Sequence, residues 1–252
     1  MRDAALVLAV ASLATALMTF LICRPAWARR GAWVGLALLL AGSWIGLVIA
    51  PAERHMGDVQ RIMYVHVPSA WIALLSFVVA FALAIVSLWT GEDRWDDRLV
   101  GAVEVGCVLN ALLLVQGSIW GRATWGVWWD WDVRLTTSLV MLLLFVGVLA
   151  LRRLADDEGR RARWSAVATI VAFVDVPLVY FCVRWWRSLH QIQSSPETMD
   201  PAMALPLRLN AAAVLLLAAW LASWRGRIEA VRRAAERAPL PARQAQRGAS
   251  LA

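Results

Sequence analysis

The sequence predicts an all-α, polytopic transmembrane helix bundle with a Trp-rich outer loop, and three observations predict it. Hydrophobic residues make up 61% of the 252 and charged residues 17%, against roughly 45–50% and 25% in soluble domains. Apolar stretches close to the ~20 residues that a spanning helix needs recur along the whole chain. No stretch alternates with period two, which argues against a membrane β-barrel. With a mean hydropathy of +0.62, the chain is neither disordered, nor a coiled coil, nor an ordinary cytosolic enzyme.

Seven apolar stretches qualify as spans. The first, residues 4–23, has more than one reading. Ala26-Trp27-Ala28 has the small-x-small form of a signal-peptide cleavage site. Against cleavage, the residues before the apolar run offer only Arg2 beside Asp3, and Arg24, Arg29 and Arg30 would land on the wrong side. A retained helix is the preferred reading, and a true start at Met18 stays open. The remaining stretches are 32–50, 69–89, 100–119, 136–151 (the shortest), 165–183 and 207–224. The organisation expected is an N-terminal apolar segment with its Arg-rich connection (1–30), a six-span unit (31–224) and an Arg-rich tail (225–252).

Arginine sets the orientation. All 25 cations of the chain are Arg, and the formal net charge is +7. Seventeen of them follow the first, third, fifth and seventh stretches, leaving eight for the rest of the chain. The positive-inside rule puts 24–30, 91–98, 152–163 and the tail in the cytoplasm, and 51–68, 120–135 and 184–206 outside. The tail is read as a partly disordered topology anchor rather than a nucleic-acid arm. The three cysteines, Cys23, Cys107 and Cys182, all lie in apolar runs without a CxxC spacing. That gives no support to a disulfide framework, a zinc site or covalent c-type haem attachment.

The outer segments carry the chemistry. All three histidines, His55, His66 and His190, fall in them. One segment holds Trp120, Trp125, Trp128, Trp129 and Trp131 within twelve residues. If it were helical, Trp125, Trp128, Trp129 and Asp132 would share a face. Gly121 and Gly126 weaken that helix. Indole faces suit a large, flat, apolar ligand and offer N–H groups to its polar rim. Imidazoles from flanking segments suit a metal at the ligand's centre, as in haem. Arg122 and Arg134 bracket the cluster and suit carboxylates such as propionates.

Each feature also has a plainer reading. A Trp-rich loop is commonly interface belt, and an outer His is commonly a solvated loop residue. Asp132 suits the N-cap of a helix starting near Leu135, and Arg134 suits the headgroup layer.

Three segments resemble a known family: Arg61-Ile62-Met63-Tyr64-Val65-His66-Val67-Pro68; Gly117-Ser118-Ile119-Trp120-Gly121 on through Arg134-Leu135-Thr136; and Trp185-Trp186-Arg187-Ser188-Leu189-His190-Gln191, followed by Asp200-Pro201-Ala202-Met203. They are similar, over about residues 32–225, to the CcmC family of haem-handling membrane proteins of bacterial cytochrome c maturation, with its Trp-rich WWD motif. The resemblance implies six spans, so that 4–23 is additional, and a WWD loop outside the cytoplasmic (inner) membrane. It implies non-covalent haem b as the transported ligand, with axial ligands matching His66 and His190. It also implies delivery to the periplasmic haem chaperone CcmE, beside the ABC transporter subunits CcmA and CcmB and the small membrane protein CcmD. The sequence departs from the family pattern at Ala123, where Pro is usual, and at Asp130, where an apolar residue is usual.

The expectation is therefore a haem-presenting subunit rather than an enzyme. Cofactor-binding candidates are His66, His190, Trp120, Trp125, Trp128, Trp129, Trp131, Asp132, Arg122 and Arg134. No nucleophile, general base or G-x-x-x-x-G-K-[ST] motif stands out, so ATP hydrolysis is expected in a partner. A second reading is a membrane enzyme acting on a lipid-linked substrate through Asp130 and Asp132, which bound stoichiometric haem would argue against. A third is a non-haem docking or permease subunit, in which replacing His66 or His190 leaves function intact.

Overall fold

The computed structural model describes residues 12–16, 25–190 and 199–239, and among them every regular element is helical. Helix α1 is Pro25–Trp44, extended by a π-helical turn at Ile45–Ile49. A 3₁₀ turn, Asp58–Ile62, leads into α2, Met63–Thr90. Then follow α3 (Asp93–Trp125), α4 (Val133–Leu154), α5 (Glu158–Ala172), α6 (Asp175–Trp185) and α7 (Pro201–Arg237). These make six candidate membrane spans, with α5 and α6 together forming one. They coincide with the second to seventh expected stretches. Of the expected span 4–23, residues 12–16 are helical and the rest lies outside the described residues.

The helices overrun the apolar stretches because caps, not hydropathy, set their ends. Asp132, Asp157 and Asp200 each accept a backbone N–H as N-caps of α4, α5 and α7. Gly91 and Gly126 end α2 and α3 in the left-handed region, at φ 66° and 80°, where glycine avoids the Cβ clash. The result corrects two expectations. His66 sits in the second turn of a helix, not in a loop. Residues 225–237, expected as a partly disordered tail, continue α7, with Glu229 and Arg233 buried.

Helix α2 packs chiefly on α3, α1 on α7, and α7 on both α2 and α3; α4 and α5 close the other side. Within a bilayer the hydrophobic effect does not drive helices together, so contact depends on close packing and interhelical hydrogen bonds. Phe77 and Phe145 stack with centroids 3.8 Å apart at the centre of the core. A Cβ on Gly106 would lie 2.6 Å from the Phe77 ring, so only glycine admits this approach of α2 to α3. Asn110 donates from α3 to the Ser138 carbonyl of α4 at 3.1 Å. Pro68 has no N–H to give the Tyr64 carbonyl one turn back. Asn210 of α7 fills the gap, donating to that carbonyl at 2.9 Å.

The ends of α3, α4, α5 and α7 farthest from the Trp-rich segment share a buried ionic cluster. Arg152 donates to both oxygens of Asp96 at 2.7 Å and to Glu229 at 2.9 Å, and it bonds Ser165 at 3.0 Å. Arg233 adds bonds to Asp96 at 2.5 Å and to Asp97 at 2.8 Å.

Candidate haem-binding site

The Trp-rich segment is not one helix. Helix α3 ends at Trp125, Gly126 reverses the chain, and 127–132 is irregular. The helical face of Trp125, Trp128, Trp129 and Asp132 therefore does not form. Instead the segment folds back: Ser118 donates to the Trp128 carbonyl at 2.5 Å, and Arg122 donates to the Gly126 carbonyl, closing the end of α3.

Each predicted imidazole meets a different turn of α3. His66 stands edge-on to Trp120, with ring centroids 5.6 Å apart. It lies so close to α3 that a Cβ on Gly117 would be 3.1 Å from its Cε1. His190, which follows α6, stands edge-on to Trp125 at 5.0 Å. Gly117 and Trp125 are eight residues apart, about 12 Å along a helix, so both rings flank the same C-terminal end of α3.

Asp132 ties the second histidine down. Its Oδ1 accepts from the Arg134 N–H at 2.9 Å, capping α4, and faces His190 Nδ1 at 3.2 Å. Its Oδ2 accepts from the Leu189 N–H at 2.8 Å. Burial disfavours the Asp132 charge, but the Leu189, Ser188 and Arg134 donors outweigh it and hold the carboxyl below its ordinary value. Burial pushes the His190 imidazolium down as well; nearby Arg134 adds to this and Asp132 opposes it. The ring is thus favoured neutral, with Nδ1–H donating to Asp132 and the Nε2 lone pair left over.

Arg134 bears on both imidazoles. Its guanidinium is half-buried and takes no hydrogen bond or ion pair among the described residues. A desolvated, unpaired cation is costly, so the arrangement suits an anionic ligand group.

The other candidates are placed differently. Trp129 and Trp131 contact each other at 5.8 Å, while Trp128 and Trp131 are 60% and 74% exposed, open to a ligand or a lipid headgroup layer. Arg122 and Asp130 are exposed. His55 is exposed in the turn closed by Glu53, to which its N–H donates at 2.7 Å. Among the polar residues inside spans, Glu104 pairs with Arg225. Gln116 Oε1 is buried without a partner near the site. Sequence reasoning missed the Asp132–His190 contact, which joins residues 58 apart, and no local signal announces it.

The family model for CcmC, described as "Heme exporter protein C", matches residues 9–240, a wider stretch than 32–225. Curated relatives of that name include one from Escherichia coli K12, 37% identical over 201 residues, covering 77% of this chain and 81% of the relative. One from Bradyrhizobium diazoefficiens is 34% identical over 191 residues, covering 73% of each. One from Haemophilus influenzae is 35% identical over 211 residues, covering 82% and 85%.

Proposed function

This chain belongs to the CcmC, or haem exporter protein C, family, and from that premise we propose that it holds haem b at the outer end of α3 and delivers it to the haem chaperone CcmE. The observation that carries the proposal is the convergence of two imidazoles, from α2 and from the segment after α6, on one end of α3, with the unpaired Arg134 guanidinium bearing on both.

In this reading His66 and His190 ligate the iron, and Trp120 and Trp125 set the two rings. Trp128, Trp129 and Trp131 offer indole faces to the macrocycle. Arg134 takes a propionate; Arg122, occupied at the end of α3, is the less suited of the two arginines. The site lies on the periplasmic side of the bacterial inner membrane, and the C-terminus is cytoplasmic, as the Arg distribution implies. CcmA and CcmB supply ATP hydrolysis, and CcmD joins the complex. The protein itself binds and transfers, without bond chemistry.

The test is an absorption spectrum of the detergent-purified protein with haem quantified by extraction, for wild type, His66→Ala and His190→Ala. A six-coordinate spectrum altered by both substitutions supports the proposal. A protein that stays free of haem when produced with CcmE, CcmA, CcmB and CcmD overturns it.

A further inference from the structure

We infer that the two histidines play unequal parts: His190, backed by Asp132, is the retained haem ligand, and His66 is the one that leaves the iron when haem is handed on. The inference rests on the proposed haem site and concerns how that site lets go.

The asymmetry lies in what holds each ring. His190 is fixed by a hydrogen bond from Nδ1 to Asp132 Oδ1, and its own backbone is pinned because the adjacent Leu189 N–H bonds the other oxygen of the same carboxylate. Asp132 is in turn anchored by the Arg134 N–H at the first turn of α4. Three contacts thus join the ligand loop to a spanning helix through one side chain. A carboxylate behind an imidazole fixes the tautomer, aims Nε2 and raises its donor strength.

Behind His66 there is no such carboxylate among the described residues: its buried Nδ1 makes no hydrogen bond of normal geometry, and the ring meets the Trp120 edge, the Gly117 surface of α3 and the uncharged Leu113 backbone carbonyl. Packing and an uncharged carbonyl limit where the ring sits but strengthen it as a donor less than a carboxylate does. When a receiving protein competes for the iron, the weaker and less tethered bond exchanges first. The Fe–Nε2 bond to His66 breaks, the incoming ligand's lone pair replaces it, and no electron is transferred. Asp132 is therefore a positioning residue, acting on the iron through His190.

The experiment follows haem loss from the haem-loaded, detergent-purified full chain to excess apomyoglobin, with the iron midpoint potential measured alongside. Variants are His66→Ala, His190→Ala, Asp132→Ser and Asp132→Asn. Serine keeps an N-cap for α4 but is too short for His190, and asparagine keeps the shape without the charge. His190→Ala and Asp132→Ser should release haem on the order of 10–100-fold faster than wild type, with Asp132→Asn shifted in the same direction. His66→Ala should stay within a few-fold of wild type while losing its six-coordinate spectrum. Both Asp132 variants should raise the potential, because a weaker donor stabilises ferric iron less; a purely structural cap would leave it unmoved. Equal release from the two histidine variants, or Asp132 variants with wild-type release and potential, overturns the inference while leaving the haem site intact. Wild-type spectra from both histidine variants would overturn the site itself.

Discussion

Arg152 grips Asp96 with two parallel N–H···O bonds of 2.7 Å, joining α4 to α3 at the end of the bundle opposite the Trp-rich segment. Both side chains are buried, and Glu229 and Arg233 of α7 complete the cluster. Removing one partner of a buried pair leaves an uncompensated charge and typically costs about 3–5 kcal/mol. Arg152→Ala should therefore lower the thermal midpoint of the purified protein sharply and reduce its yield. Haem bound per folded molecule should not change, because the cluster shares no residue with the site. Wild-type thermal stability of the variant in detergent would show that the cluster is dispensable.

Gly117 marks where α3 makes room for His66. An added Cβ would stand 3.1 Å from the ring, so alanine forces a shift of a few tenths of an ångström and a branched side chain forces more. Gly117→Val should alter the six-coordinate spectrum much as His66→Ala does, with circular dichroism unchanged. Gly147, where a Cβ meets nothing within 4 Å, supplies the control: Gly147→Val should leave the spectrum as in wild type.

These contacts divide the readable from the unreadable parts of the sequence. The six spans were legible because apolar runs of membrane length have few alternatives. The two histidines proposed as ligands and the Trp segment were legible as residue types at the ends of apolar stretches. The helical or irregular state of 126–132 was not, since Gly126 at φ 80° ends α3 at a point that composition only hints at. The dual work of Asp132 was half legible: the N-cap is local, but the bond to His190 needs the fold to bring α4 and the end of α6 together. The buried charges misled most. Asp96, Arg152 and Arg233 look like loop and tail residues in a hydropathy reading, and only their mutual pairing makes burial tolerable.

Arg134 offers a test of the ligand's polar edge. Its half-buried guanidinium lacks a partner among the described residues, and a hydrogen bond to a charged group contributes roughly 1.5–3 kcal/mol. Arg134→Gln should weaken haem binding by about 10- to 100-fold on that scale. The loss should be much smaller for haem dimethyl ester, which carries no propionate charge. Titrating both ligands into both proteins by absorbance measures the four affinities. An equal loss for haem and its ester would place Arg134 away from the propionates.

The acid dependence of the site follows from two groups with the same sign. Burial lowers the His190 pKa from 6.5, so the folded protein binds fewer protons there than the unfolded chain. Stability associated with His190 therefore declines as pH drops below about 6.5, and the decline ends once the folded ring also protonates. Hydrogen bonds lower the Asp132 pKa despite burial, so its stabilisation is present above the unfolded value of 3.8 and is lost as pH falls through the folded pKa. Acid thus weakens the His190 segment in two stages, and iron ligation, which needs the neutral ring, should persist somewhat below pH 6.5 before failing. Absorbance of the haem-loaded protein, followed from pH 8 to 4, should show the six-coordinate form lost with a midpoint below that of a free imidazole. Asp132→Ser removes the carboxylate that strengthens His190 as a donor, so protons should displace the iron more readily and the acid midpoint should move upward as haem leaves faster. An unmoved midpoint in Asp132→Ser would mean that the carboxylate does not act on this ring.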